Sequence, residues 1–156
     1  MVKKINKAKL ISYVATITLA LIILMDFSLS GNAFKEEIIH IDKGKQTYNN
    51  AGGNYHYFYK VKTAKRTFSV SKEFATTSKD KIIYYTTSSI FNEINSYGSP
   101  HRKNLSRYSL RTASGLILPL VVILILLVSL KLKKRIDTLV FVLQAVLIAD
   151  LIFLLL

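Results

Sequence analysis

The residues able to do chemistry are few and widely spaced. Asp26 and Asp150 stand inside long apolar runs, where an ionisable group is costly enough to need a reason. Asp150 lies about 12 residues, or about 18 Å of helix, into the last run. Asp26 lies near the outer end of the first. Each admits a functional reading, as part of a proton or ion path or as a buried pair with a partner's helix. Each also admits a structural one. For Asp26 that is hydration at the membrane interface. For Asp150 it is hydration near the outer surface, or an ion pair with Arg111 or Arg107 at the outer end of the second run. Gln144 is deeper and uncharged, and suits a hydrogen bond to a neighbouring helix. These five are candidates for helix contact.

Other chemistry lacks support. His40, His56 and His101 fall on separate elements, with no His-x-x-x-His spacing, so a metal site would need ligands converging from distant places. The absence of cysteine excludes disulfides, a thiol nucleophile and a Cys-zinc site. There is no Gly-x-Ser-x-Gly and no paired carboxylate. Gly52-Gly53 lacks the Lys-Ser/Thr of a phosphate-binding loop. The expectation is a protein without catalytic residues, cofactor or metal.

The elements that must position these residues follow from the composition. Of 156 residues 51% are hydrophobic, yet 22 Lys+Arg against 9 Asp+Glu leave a net charge of +13. An ordinary soluble enzyme and a disordered tail are both excluded by that combination. The apolar residues gather into three runs, residues 10–29, 112–130 and 138–156, each about 28–30 Å long as helix and matched to a bilayer core. Residues 1–9 form a basic N-terminus with Lys3, Lys4, Lys7 and Lys9, and residues 131–137 a basic loop. Both are expected on the cytoplasmic side of a cell (inner) membrane. Residues 30–111 and the C-terminus are then outside. Read as a signal peptide, the first run would end near Gly31-Asn32-Ala33. Its length, and Asp26-Phe27 near that point, favour an uncleaved helix.

Small residues recur at helical spacing: Ser12, Thr16 and Ala20 on the first run, Ala145 and Ala149 on the third. This allows close helix approach, within one chain or between chains. Pro119 removes a backbone donor and predicts a kink near Gly115.

Between the first two runs the hydrophobic period changes to two. Tyr55, Tyr57, Tyr59 and Val61 share one strand face, and His56, Phe58, Lys60 and Lys62 the other. A second strand carries Phe68 and Val70. After a polar turn over residues 76–80, residues 81–86 form a third, completing a three-stranded meander. An earlier strand is expected over residues 37–41, cut off by loop signals from Gly44 to Gly53. Residues 88–94 read as a short helix or an irregular strand, and residues 97–105 as a loop. Tyr55, Tyr57, Tyr59 and Phe91 are the expected core or docking face of this outer domain.

The succession Tyr59-x-Val61, Phe68-x-Val70, Asp80-Lys81-Ile82 and Ser88-Ser89-Ile90-Phe91, set between membrane helices, resembles uncharacterised small bacterial membrane proteins with a short extracytoplasmic β unit. Lys79 stands where that pattern has glycine. The resemblance implies a topology and no activity. The Lys-, Ile- and Asn-rich composition fits an AT-rich bacterial genome.

The fold expected is therefore an integral membrane α + β protein, three transmembrane helices with a small β-rich extracytoplasmic domain between the first two. The leading function is a non-enzymatic accessory or structural subunit docking onto a larger membrane complex. The alternative is a binding or protective module, such as an immunity protein, using the basic outer domain. A component of a small transporter or channel comes third. Expected partners are the lipid bilayer, a protein partner and anionic lipid headgroups, and not nucleic acid.

Overall fold

The computed structural model describes residues 7–29, 31–48, 54–77, 81–100, 105–132 and 137–155. Lys3, Lys4, the segments 49–53, 78–80 and 133–136, and His101 with its neighbours lie outside these. Among the described residues, three helices are long and apolar enough to cross a membrane: Lys7–Ser28, Ser109–Lys131 and Thr138–Leu155. The chain divides into two compact units. The architecture is α+β, compatible with a multi-pass membrane protein.

The helical unit holds α1 (Lys7–Ser28), α4 (Leu118–Leu132), α5 (Asp137–Leu155) and, from the middle of the chain, residues 89–91. Helix is the form in which an isolated apolar segment satisfies its own backbone in lipid. The inward positions recur in sevens, threes and fours. On α1 they are Tyr13, Ala20, Ile23 and Phe27, with Asp26 buried beside them; on α4, Pro119, Val122, Leu126 and Ser129; on α5, Val140, Leu147 and Leu154. That spacing keeps one stripe of each helix facing its neighbour. The Tyr13 and Ser129 hydroxyls lie 3.1 Å apart in the buried seam between α1 and α4. Outside the stripes, Ile11, Val14, Leu124, Phe141 and Phe153 are exposed apolar surface suited to lipid.

The second span begins as α3 (Ser109–Thr112) and passes through a π-helical turn, Ala113–Ile117, into α4. Pro119 explains the turn. It has no N–H to give the Gly115 carbonyl four residues back, and its ring crowds that carbonyl. The ladder widens by one residue, and the Leu118 N–H reaches the Ala113 oxygen. The irregularity expected near Gly115 is thus a π-turn. Gly115 is buried under the Phe27 ring, where a Cβ would collide with it.

The β unit is two three-stranded antiparallel sheets. One has the order β1 (Ala33–Glu37), β5 (Ile82–Thr87), β6 (Ile94–Gly98); the other is β2 (His40–Thr47), β3 (Tyr55–Lys62), β4 (Thr67–Val70). Alternation along β3, β4 and β5 turns Tyr59, Val61, Phe68, Val70, Ile83 and Tyr85 into a shared core with Phe74 and Tyr97. Full burial of such side chains contributes about 1.5–3 kcal/mol each. Aromatic rings join the sheets, Phe68 lying 5.2 Å from Tyr85 and 6.2 Å from Tyr97, and Phe74 meets Tyr97 edge-on at 5.3 Å.

Several sequence expectations change here. The meander does not form, because α2 (Lys72–Thr77) follows β4 and sends the chain to the other sheet, where β5 pairs with β1 and β6. Ser71 caps α2, its Oγ accepting from the Phe74 N–H at 3.2 Å. Gly44 lies within β2, opposite Phe58, whose ring fills the space a Cβ would take. The expected single early strand is β1 and β2, and Tyr97 and Gly98 belong to β6 rather than a loop. Residues 88–93 form neither helix nor strand.

Candidate functional site

Helix packing in lipid relies on small residues and on polar side chains that bond across helices. The seam between α1 and α5 has both. Gln144 Nε2 donates to Ser12 Oγ at 2.9 Å and to Thr16 Oγ1 at 2.8 Å. One amide thereby uses both its hydrogens on residues one helical turn apart. The Thr16 hydroxyl bonds back to the Ser12 carbonyl at 2.8 Å, which fixes it as an acceptor for Gln144. Around this fork lies an open groove of about 380 Å³, lined by Ser12, Ala15, Thr16, Gln144, Ala145 and the flank of Phe141, among others. The helix contact expected of Gln144 is present, and two of the small residues read from spacing are its partners.

Asp150 is half-buried on α5. Its Oδ2 is enclosed, with no hydrogen-bond partner among the described residues. Asp26 is fully buried, which sets aside its reading as a hydrated interfacial group. Its Oδ1 accepts from the backbone N–H of Ile90 at 2.6 Å and of Phe91 at 3.1 Å. A carboxylate oxygen taking two peptide donors is a strong latch, and it secures residues 89–91 within the helical unit. Phe91 accordingly packs partly against the helix core. This corrects its assignment to the outer domain's core.

In the β unit Arg111 is buried, and its Nε donates to Asn95 Oδ1 at 2.9 Å. Arg107 is exposed. Of the three tyrosines on one face of β3, only Tyr59 is core, at 8% exposure. Tyr55 and Tyr57 are 52% and 44% exposed, because β4 pairs with β3 only from Tyr59 onward. His40 sits 3.2 Å from Asp42, and His56 Nδ1 sits 2.6 Å from the Tyr48 hydroxyl. Among the described residues no group of His, Asp or Glu is placed to hold a metal ion.

The β unit also contains a polar cluster that sequence reasoning did not single out. Glu36 on β1 is enclosed beside Tyr85 and Thr63, with the Lys65 ammonium 3.9 Å away. Burial raises the Glu36 carboxyl, but the Thr63 and Tyr85 hydroxyls, then the Lys65 backbone and charge, outweigh it. The net shift is below the ordinary value of 4.5. Burial, followed by the adjoining Glu36 carboxylate, pushes the Tyr85 phenol up to about 12. Strand alternation signals that Glu36 faces opposite to Lys35 and Glu37. It does not signal that Tyr85 of the neighbouring strand β5, two residues beyond the Glu36 register partner Ile83, comes beside it.

No protein-family model, curated protein or solved structure matches the chain, so its reading rests on this geometry.

Proposed function

We propose that the chain is a non-enzymatic accessory subunit of a larger membrane protein complex, docking through its helices. The observation that carries this is the α1/α5 groove. It is lined by Gln144, Ser12 and Thr16, hydrogen-bonded to one another, by the small Ala15 and Ala145, and by the larger apolar Leu19, Phe141, Leu147 and Ile148. A groove of that make-up lets a further helix approach closely and gain dispersion contacts that lipid chains fill less well. The basic N-terminus and the basic loop after α4 argue for a cytoplasmic N-terminus in a bacterial inner membrane, with residues 30–111 and the C-terminus outside.

The test fills the groove. Ala15 and Ala145 are both exposed in the helical unit, so Ala15→Leu and Ala145→Leu add bulk without entering the chain's own core. If the reading holds, each variant inserts and folds as the parent does but loses its co-purifying partner. Retention of the same partner at the same ratio by both variants would defeat it.

A further inference from the structure

The distal half of the β2–β3 hairpin is a two-stranded ribbon. Among the described residues β2 is an edge strand, and β4 covers β3 only over residues 59–62, so residues 44–47 and 55–58 have no third described strand beside them. Such a ribbon is marginal in water unless its side chains support it. Here they do so with an unusual pairing. The Lys43 ammonium sits 4.0 Å from the centre of the Tyr57 ring, and the Lys45 ammonium 4.1 Å from that of Tyr55. The two rings meet edge to face at 5.4 Å. Odd-numbered residues of both strands share a face, so these two lysines and two tyrosines lie together on it, beside Thr47. No acidic residue occupies that face; the hairpin's Asp42 is on the other, next to His40. The ring contacts hold both charges in place, and the face remains exposed.

We propose that this ribbon face binds the headgroups of anionic lipids, with Lys43 and Lys45 as the anion-binding groups and Tyr55 and Tyr57 as interfacial anchors. Two features select lipid over an acidic protein. Exposed tyrosine interleaved with lysine is the pairing that membrane–water interfaces favour. The connector from α1 to β1 is only residues 29–32, so any bilayer that α1 crosses supplies headgroups to the β unit at high effective concentration. Each basic residue close to an anionic surface raises occupancy roughly fivefold, so two raise it about 30-fold. The proposal depends on the chain being in a bilayer and not on any protein partner.

The full-length protein is reconstituted into nanodiscs of phosphatidylcholine alone and of phosphatidylcholine with phosphatidylglycerol. Amide hydrogen exchange is then followed in residues 43–48 and 54–58. The ribbon opens locally, so headgroup binding to its closed form slows exchange by the factor 1 + [headgroup]/Kd. The expected result is slowing by about tenfold or more in the anionic discs at low salt. The effect should vanish at high salt and be absent from the Lys43→Gln/Lys45→Gln variant. Residues 67–70 of the core serve as the control, and their unchanged exchange shows that the variant is folded. Equal ribbon exchange in the two lipids overturns the proposal, as does slowing that survives either high salt or the double substitution.

Discussion

Replacing Asp26 tests how residues 89–91 are held. Its Oδ1 takes two backbone N–H donors, at 2.6 and 3.1 Å, at a position with no exposure. Hydrogen bonds to a charged acceptor contribute about 1.5–3 kcal/mol each, and the abandoned peptide donors are left without compensation. Asp26→Leu is therefore expected to destabilise the helical unit by about 3–6 kcal/mol. Asp26→Asn keeps an oxygen acceptor without the charge and should lose about half as much. The assay is reversible unfolding of the full-length protein in mixed micelles, together with amide exchange at Ile90 and Phe91. The shorter bond predicts the larger change at Ile90. If the leucine variant unfolds within about 0.5 kcal/mol of the parent and both amides stay protected, the latch reasoning is wrong.

Four further outcomes follow from the structure. At Gly31 a Cβ would meet the backbone of Thr87 and Ser88, which cannot give way; Gly31→Ala should lower stability of the β unit by about 1–3 kcal/mol in thermal melts. At Gly44 the obstacle is the far end of the Phe58 ring, so Gly44→Ala should cost less than about 1 kcal/mol. The depressed Glu36 carboxyl contributes stability that is fully present above its ordinary value of 4.5 and is lost as pH falls through the lower folded value. Acid unfolding of the parent should show that loss, and Glu36→Gln should show less of it. The raised Tyr85 phenol contributes stability that is present below 10 and lost as pH rises towards about 12; in an ultraviolet titration Tyr85 should ionise later than the exposed Tyr55, and Tyr85→Phe should remove that late step.

Much of the fold is legible in the sequence where the signal is local. Three apolar runs of bilayer length need no tertiary information, and the structure has three matching helices. Period-two alternation correctly places Tyr59, Val61, Phe68 and Val70 towards a core. Alternation says which way a side chain points and is silent on which strand lies alongside, so it suggests a meander with β5 beside β4, whereas β5 pairs with β1 and β6. Gly44 carries the composition of a turn, yet it serves as the gap that the facing Phe58 ring fills. Pro119 with Gly115 signals an irregular helix; that the ladder widens rather than breaks depends on Phe27 and the packing around it.

The candidate site shows the same division. Gln144 is readable as a bond to another helix from its type and depth alone, and Ser12 and Thr16 as close-approach positions from their spacing. That the three form one fork is a property of the packed seam. Asp26 reads as a hydrated end residue because its partners are backbone amides about 65 residues away, and a backbone amide has no signature in sequence. Tyr55 and Tyr57 share the pattern of Tyr59 and differ only because β4 is short.

The most direct measurement of the central claim is the composition of the complex in its native membrane. With a small tag on the N-terminus and gentle extraction, the parent chain should come out with one partner at a fixed ratio, and Ala145→Leu should come out alone, still folded. A parent chain that purifies stable and alone in every mild detergent would contradict the account.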